Sequence, residues 1–203
     1  MESFKSHKGK LVPLDRANID TDQIIPKQFL KSIRRTGFGE TLFFDWKTLP
    51  NGKPNPDFEL NQPAYSGATI LVTSNNFGCG SSREHAVWAL AQYGFKAIIA
   101  PRCGEVPAFA DIFHNNSVKN GLLAIELKES EVKEIFQMIA RNSGLKATIN
   151  LEEQRVTLHL AEEISFHFEI DKGVKDHLSR GLDDIGLTEK HAQQITEFEK
   201  RHA

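Results

Sequence analysis

Asn75-Asn76-Phe77-Gly78-Cys79-Gly80-Ser81-Ser82-Arg83-Glu84-His85 decides how this chain is read, because a β-rich run ends there, two glycines turn the backbone and a helical pattern begins. Before it, Ala68-Thr69-Ile70-Leu71-Val72-Thr73 is a short apolar run with β-branched residues, the composition of a buried strand. After it, Ala86, Val87, Leu90 and Ala91 recur at helical spacing between Ser82 and Tyr93, and Gly94 supplies the stop. Ser81 followed three residues later by Glu84 fits a capping box, which predicts unpaired first-turn amides beside Ser81 and Ser82. Gly78 and Gly80 let a ligand approach the backbone, a helix N-terminus favours negative charge, and Arg83 offers a planar fork to a carboxylate or phosphate. Local physics leaves two readings open here: an anion site, or a turn and capped helix that are architecture alone. The stretch lacks the Lys of a Walker loop and the Gly-x-Gly-x-x-Gly of a dinucleotide turn, which argues against nucleotide binding.

Outward from this stretch, the composition describes an ordinary water-facing chain with enough core material for one domain. The 203 residues hold 14 Phe and are 39% hydrophobic and 26% charged. A formal charge of −2 and the lack of a basic tract argue against nucleic-acid binding, and no apolar run is long enough to span a membrane. The amino-terminal residues lack a signal peptide's apolar core, so a cytoplasmic location is expected. Cys79 and Cys103 are the only cysteines, too few for a disulfide framework or a zinc site. Cys79, between two glycines, reads as a small packed residue rather than a nucleophile.

Taken in order, Leu11–Leu14 is a first strand, followed by a polar loop with Asp15, Asp20 and Asp22 that ends at Ile24-Ile25-Pro26. The loop lacks the glycine and terminal glutamate of an EF-hand, so turn and cap chemistry is expected rather than a metal. Residues 27–40 have poor periodicity and read as mobile. Pro50, Pro54, Pro56 and Pro63 with Asn51-Gly52 mark a surface excursion rather than a packed element. Ala97–Ala100 is a compact strand, and strand, helix, strand in succession implies a parallel crossover with the site at the strand C-termini. Val132, Ile135, Phe136 and Ile139 form a helical stripe. Alternation through Ala147–Leu151, Val156–Leu160 and Ile164–Ile170 predicts three strands with one buried face each, His159 and His167 lying on the other parity. Short helices are expected after Lys172 and from Thr188 to Arg201.

The eleven quoted residues resemble the Gly-x-Gly-Ser-Ser-Arg-Glu-His signature of the aconitase superfamily's swivelling domain, in the form carried by its 3-isopropylmalate dehydratase small-subunit family. Asp20-Thr21-Asp22-Gln23-Ile24-Ile25-Pro26 resembles that domain's Asp-x-Ile-x-Pro loop, and the likeness runs from Leu11 to about Leu187, including Gly181-Leu182-Asp183-Asp184-Ile185-Gly186-Leu187. One departure stands out: Arg102-Cys103-Gly104-Glu105-Val106-Pro107 is interposed before Phe109-Ala110-Asp111-Ile112-Phe113. The resemblance implies an α/β fold, a swivelling β/β/α domain over residues 1–203 with a short parallel βαβ core and added antiparallel strands. Residues 27–66 would form a substrate loop and Pro-rich excursion, and 188–203 a C-terminal helix.

The resemblance also implies roles. Ser81 would act as the base, as an alkoxide, with Asp22 in its polar network; Ser82 and Arg83 would hold a substrate carboxylate. Phe29, Leu30, Lys31, Ser32, Ile33, Arg34, Arg35 and Thr36 would line the substrate's variable side chain, although adjacent arginines on a loop are more often solvated. Gly78 and Gly80 would shape the turn and Glu84 would cap the helix, with His85 beside it in capping and packing. A [4Fe-4S] cluster would reside on a large partner subunit, since two thiols cannot hold a four-cysteine cluster. The implied reaction is the dehydration and rehydration that isomerises 2-isopropylmalate, a dicarboxylate. A subunit acting on homoaconitate or a methyl-substituted malate, and a non-catalytic anion- or partner-binding regulator, are the alternatives.

Overall fold

A computed structural model describes residues 1–31, 36–181 and 192–202. Its frame is one seven-stranded sheet in the order β4-β3-β2-β1-β5-β6-β7. The strands are β1 (Ser6–Leu14), β2 (Ile70–Thr73), β3 (Ala97–Arg102), β4 (Leu123–Lys128), β5 (Lys146–Asn150), β6 (Arg155–Leu158) and β7 (Ile164–His167). β1 to β4 run parallel, and β5 to β7 continue the sheet antiparallel from the other edge of β1. β1 joins the halves by dividing its length: Ser6–Lys10 pair with β5, and Leu11–Leu14 pair with β2.

Sequence patterns differ between the halves because their burial differs. Ile70, Val72, Ala97 and Ile99 face one core, while Leu71, Ile98 and Ala100 face the other, so the parallel strands are apolar without interruption. Helices α3 (Glu84–Tyr93) and α4 (Asp111–Lys119) cover one face through Ala86, Val87, Leu90 and Phe113. Helices α5 (Glu129–Arg141) and α6 (Lys172–Arg180) cover the other through Val132, Ile135, Ile139 and Leu178. Ala147, Ile149, Val156, Leu158 and Phe166 bury only their α5-side face, which produces the alternation in β5 to β7. On the opposite parity, His159 bonds Thr148 and Glu163, and His167 bonds Glu169. A final helix, α7 (Ala192–His202), carries exposed Ile195 and Phe198.

Two sequence expectations are corrected. The Pro-rich excursion is a packed element: Phe58 and Leu60 are buried beside Phe43 of the short helical segment that includes α2 (Phe44–Lys47). The Arg16 guanidinium fastens it, lying 4.7 Å from the Trp46 ring centroid and 5.4 Å from that of Phe58, while Nη2 donates to both carboxylate oxygens of Glu59. The second correction concerns the capping box. α3 begins at Glu84, its N-cap is Arg83 in extended conformation, and no side chain caps it. Glu84 instead accepts from Asn120 Nδ2 at 3.0 Å, and Ser81 lies outside the helix.

Candidate active site at the strand ends

The loops that leave β1, β2 and β3 are sewn together by backbone hydrogen bonds. The Asn18 amide donates to the Asn75 carbonyl at 3.0 Å, Gly78 N–H to Ile19 at 2.8 Å, and Thr21 N–H to Cys79 at 3.0 Å. On the far side, Phe77 N–H donates to Ala108 and Ala110 N–H to Phe77, at 2.9 and 3.0 Å. The signature is therefore clamped between the two neighbouring loops, where the parallel strands end. Gly78 (φ +76°) and Gly80 (φ +81°) make the turn possible, and at Gly78 the demand is double. A Cβ there would stand 2.2–2.6 Å from the Phe113 side chain. Gly78→Ala should destabilise the fold by about 2–4 kcal/mol, combining left-handed strain with overpacking, and urea unfolding would measure it. A midpoint equal to wild type would show that Phe113 yields freely.

Asp20 and Asp22, two residues apart in one short loop, divide two tasks. Asp20 is the N-cap of α1 (Thr21–Ile24): its side chain accepts from the Gln23 amide at 2.8 Å, and Gln23 Oε1 accepts from the Asp20 amide at 2.9 Å. This reciprocal cap fixes the residues between. Thr21 Oγ1 donates to the Ser81 carbonyl at 2.6 Å, anchoring the signature's serine pair from below. Asp22 receives Arg83 Nη1 on one oxygen and Lys27 Nζ on the other, the latter at 3.2 Å. The three side chains are 35% (Asp22), 18% (Arg83) and 72% (Lys27) exposed, so the arginine is the sheltered cation and the lysine the accessible one. Two cations on one carboxylate leave this trio with one net positive charge, which Asp111 of the adjoining cavity offsets.

Ser81 and Ser82 are exposed, and among the described residues the Ser81 hydroxyl has no hydrogen-bond partner. Beside them lies a cavity of about 220 Å³ lined by Thr21, Gly78, Gly80, Ser82, Arg83 and the first turn of α4, where Asp111 adds a carboxylate and Ile112 an exposed apolar rim. Complete small-molecule pockets run to roughly 300–1,000 Å³, and this cavity is smaller than that range. Phe29, Leu30, Lys31 and Thr36 of the predicted substrate segment are described, with Phe29 edge-on to Phe44 at 5.0 Å; Ser32, Ile33, Arg34 and Arg35 lie outside the described residues. So do Leu182–Leu187 of the later motif. The interposed residues Arg102 and Pro107 line a different cavity, about 490 Å³, with His114, Glu126, Glu169 and Asp171; it contains none of the signature residues.

Sequence reasoning missed Lys27 and Thr21; it expected cap chemistry in this loop without assigning it to Asp20, for which the four-residue Asp-x-x-Gln spacing was the legible signal. Both thiols are poor nucleophiles: burial, then the Asp20 charge, pushes Cys79 up, and burial followed by Glu129 does the same for Cys103. A raised thiol stays protonated at neutral pH, so both cysteines should react with iodoacetamide at pH 7.5 more slowly than free glutathione. Alkylation of Cys79 at or above the glutathione rate would contradict this. Among the described residues no group of three or more His, Cys, Asp or Glu is placed to hold a metal ion.

A sheet whose parallel half ends in a glycine turn, an arginine-carboxylate pair and exposed serines has known counterparts. Residues 1–130 match the aconitase C-terminal domain family, and the chain belongs to it. Within that family it groups with the small subunits of 3-isopropylmalate dehydratase. It is 52% identical over 205 residues to that subunit from Desulforapulum autotrophicum, covering 99% of this chain and 96% of the relative. It is 53% identical over 199 residues to the one from Halalkalibacterium halodurans, covering 98% of each. A crystal structure of 3-isopropylmalate dehydratase from Methanocaldococcus jannaschii superposes with a TM-score of 0.64 at 25% identity, over 95% of this chain and 98% of that one.

Proposed function

We propose that this chain supplies half of the active site of a two-subunit hydro-lyase that converts 2-isopropylmalate to 3-isopropylmalate in leucine biosynthesis. The observation that carries the reading is Arg83, sheltered and paired with Asp22, opening with Ser82 onto a small cavity beside Ser81, whose hydroxyl has no hydrogen-bond partner among the described residues. The reaction breaks a C–H and a C–OH bond to give an alkene dicarboxylate and water, then adds water back with hydroxyl and hydrogen exchanged. It needs cations for two carboxylates, a base for the carbon-bound proton and a Lewis acid for the hydroxyl. Arg83 and Ser82 bind one carboxylate, Lys27 adds positive charge on the same side, and Asp22 orients the guanidinium fork. Phe29, Leu30 and Thr36 of the described part of the substrate segment serve the variable alkyl group.

Ser81 takes the proton as an alkoxide, whose electron pair forms the O–H bond as the C–H pair forms the double bond. That places a strong condition on its surroundings. A hydroxyl, like bulk water, ionises only far above neutral pH, and a nearby helix terminus contributes about 0.3–1 kcal/mol, less than one pKa unit. Ser81, outside α3, receives less still. Arg83 and closure against a partner supply the remainder by electrostatic preorganisation in a water-excluded space. The residues of this chain do not fit an iron-sulfur cluster; a [4Fe-4S] cluster on the large subunit would supply the Lewis acid for the departing hydroxyl. The exposed Ile112 and open cavity face that subunit. No helix among the described residues is long and apolar enough to cross a membrane, and the reading places the enzyme in the cytoplasm.

Anaerobic mixing with the cognate large subunit tests the reading. Isomerisation of 2-isopropylmalate should require both chains, each alone being inactive. Turnover by the pure, cluster-free small chain would refute the shared site. A complex that isomerises only homoaconitate or a methyl-substituted malate would overturn the substrate choice, and no activity with a verified cluster would favour a regulator.

A further inference from the structure

Among the described residues no hydrogen bond or ion pair joins His85, the last residue of the signature, to Ser81, Arg83 or Asp22. His85 stands on the first turn of α3, half-buried, two residues beyond Arg83. Its ring meets Phe38 edge-on, with centroids 5.2 Å apart and planes at 82°, and Trp88 at 4.8 Å and 58°. Phe38 and Trp88 meet at 5.8 Å, closing a three-ring cluster. Trp88 is itself held, its Nε1 donating to Asn120 Oδ1 at 3.0 Å while Asn120 Nδ2 donates to Glu84. Phe38 is 3% exposed, and its amide donates to Gln92 Oε1 at 2.9 Å near the other end of α3. Gly39 follows so closely that an added Cβ would stand 2.7–2.8 Å from the backbone of Gln92 and Tyr93. Residues 38–39 are thus laid along α3 from its first turn to its last.

One short piece of backbone therefore carries Arg83, for the carboxylate, and His85, which grips the chain two residues beyond Thr36. We infer that His85 is a positioning residue: through Phe38 it fixes where Thr36 and Phe38 stand relative to Arg83, and so tunes which alkyl group is accepted on a substrate whose carboxylate Arg83 holds. The inference rests on the dehydratase reading above. A bare helix-packing role would move stability alone; a positioning role moves binding and discrimination.

In the reconstituted two-subunit enzyme, His85→Ala should raise KM for 2-isopropylmalate about three- to tenfold, the size of a lost ring contact, with kcat within about twofold. KM for a methyl-substituted malate should change less, lowering selectivity, and His85→Phe, which keeps an edge-on ring, should restore both values. Hydrogen exchange on the small chain supplies a readout independent of turnover: the Phe38 and Thr41 amides should exchange faster in His85→Ala but not in His85→Phe, with Ile98 and Ile99 unchanged. Equal KM changes for the two substrates, a kcat loss at constant KM, or unaltered exchange at Phe38 would each overturn the inference. If the wild-type pair leaves 2-isopropylmalate untouched, the dehydratase reading falls, whereas exchange at Phe38 still decides whether His85 holds that segment.

Discussion

Ser81→Ala in the reconstituted enzyme should lower kcat by about 10²- to 10⁴-fold, the range over which a positioned base acts, with KM changed far less. The geometry makes this a clean substitution. Among the described residues the Ser81 hydroxyl has no partner, so its removal strands no buried group, and the residue is exposed, so no core is lost. Its carbonyl, which receives Thr21 Oγ1 at 2.6 Å, remains in alanine and keeps the turn in place. The variant should unfold at the wild-type urea midpoint and bind the large subunit as before. Stability and assembly are therefore controls, and only chemistry should move. Retention of more than about a tenth of wild-type kcat would remove Ser81 from the base role, because the rate lost would fall below that of general-base catalysis.

How far the site could be read from sequence depends on where local chemistry was in command. β2 and β3 were legible because both faces are buried, leaving no polar interruption, and β5 to β7 because only one face is. β1 was seen only from Leu11. Its first half, Ser6–Lys10, pairs with β5 yet is largely polar, so hydropathy carried no signal there. The helix after the signature was recognised, and its Gly94 stop is a left-handed C-cap bonded to Ala91 and Leu90. Its start was misread by local spacing: Ser81 and Glu84 have capping-box separation, but the Gly78–Gly80 turn and the bonds to Ile19 and Ala108 keep the chain extended through Arg83. Tertiary sewing overrode a sequence-local preference. The same contest explains the excursion. Its prolines and Asn-Gly announce turns, which are present, but Phe58 and Leu60 between them are core residues, and the nearby Trp46 offers Arg16 a second aromatic surface. Lys27 illustrates a different limit. Nothing in its spacing from Asp22 predicts an ion pair, because the short α1 and Pro26 bring it back over the same carboxylate.

Arg83→Ala should cost about 10²- to 10³-fold in kcat/KM, with a rise in KM as the larger component. The size is that of removing the cation from a desolvated charge pair with a substrate carboxylate, about 2–5 kcal/mol, while Asp22 keeps Lys27 as a counterion and so strands no buried charge. Arg83→Lys separates charge from geometry. A lysine supplies a point charge but not the fork that serves Asp22 and a substrate carboxylate together, so it should recover only a small part of the loss. Asp22→Asn is the complementary test: it leaves the guanidinium charge in place but releases its orientation, so its KM effect should be smaller than that of Arg83→Ala. The two losses should combine less than additively, since each variant already breaks the same pair. Additive losses would mean that Asp22 acts on substrate independently of Arg83, and full activity in Arg83→Lys would mean that the corner needs positive charge alone. The expected order, with arginine far above lysine and lysine slightly above alanine, follows from a carboxylate site that reads shape as well as sign.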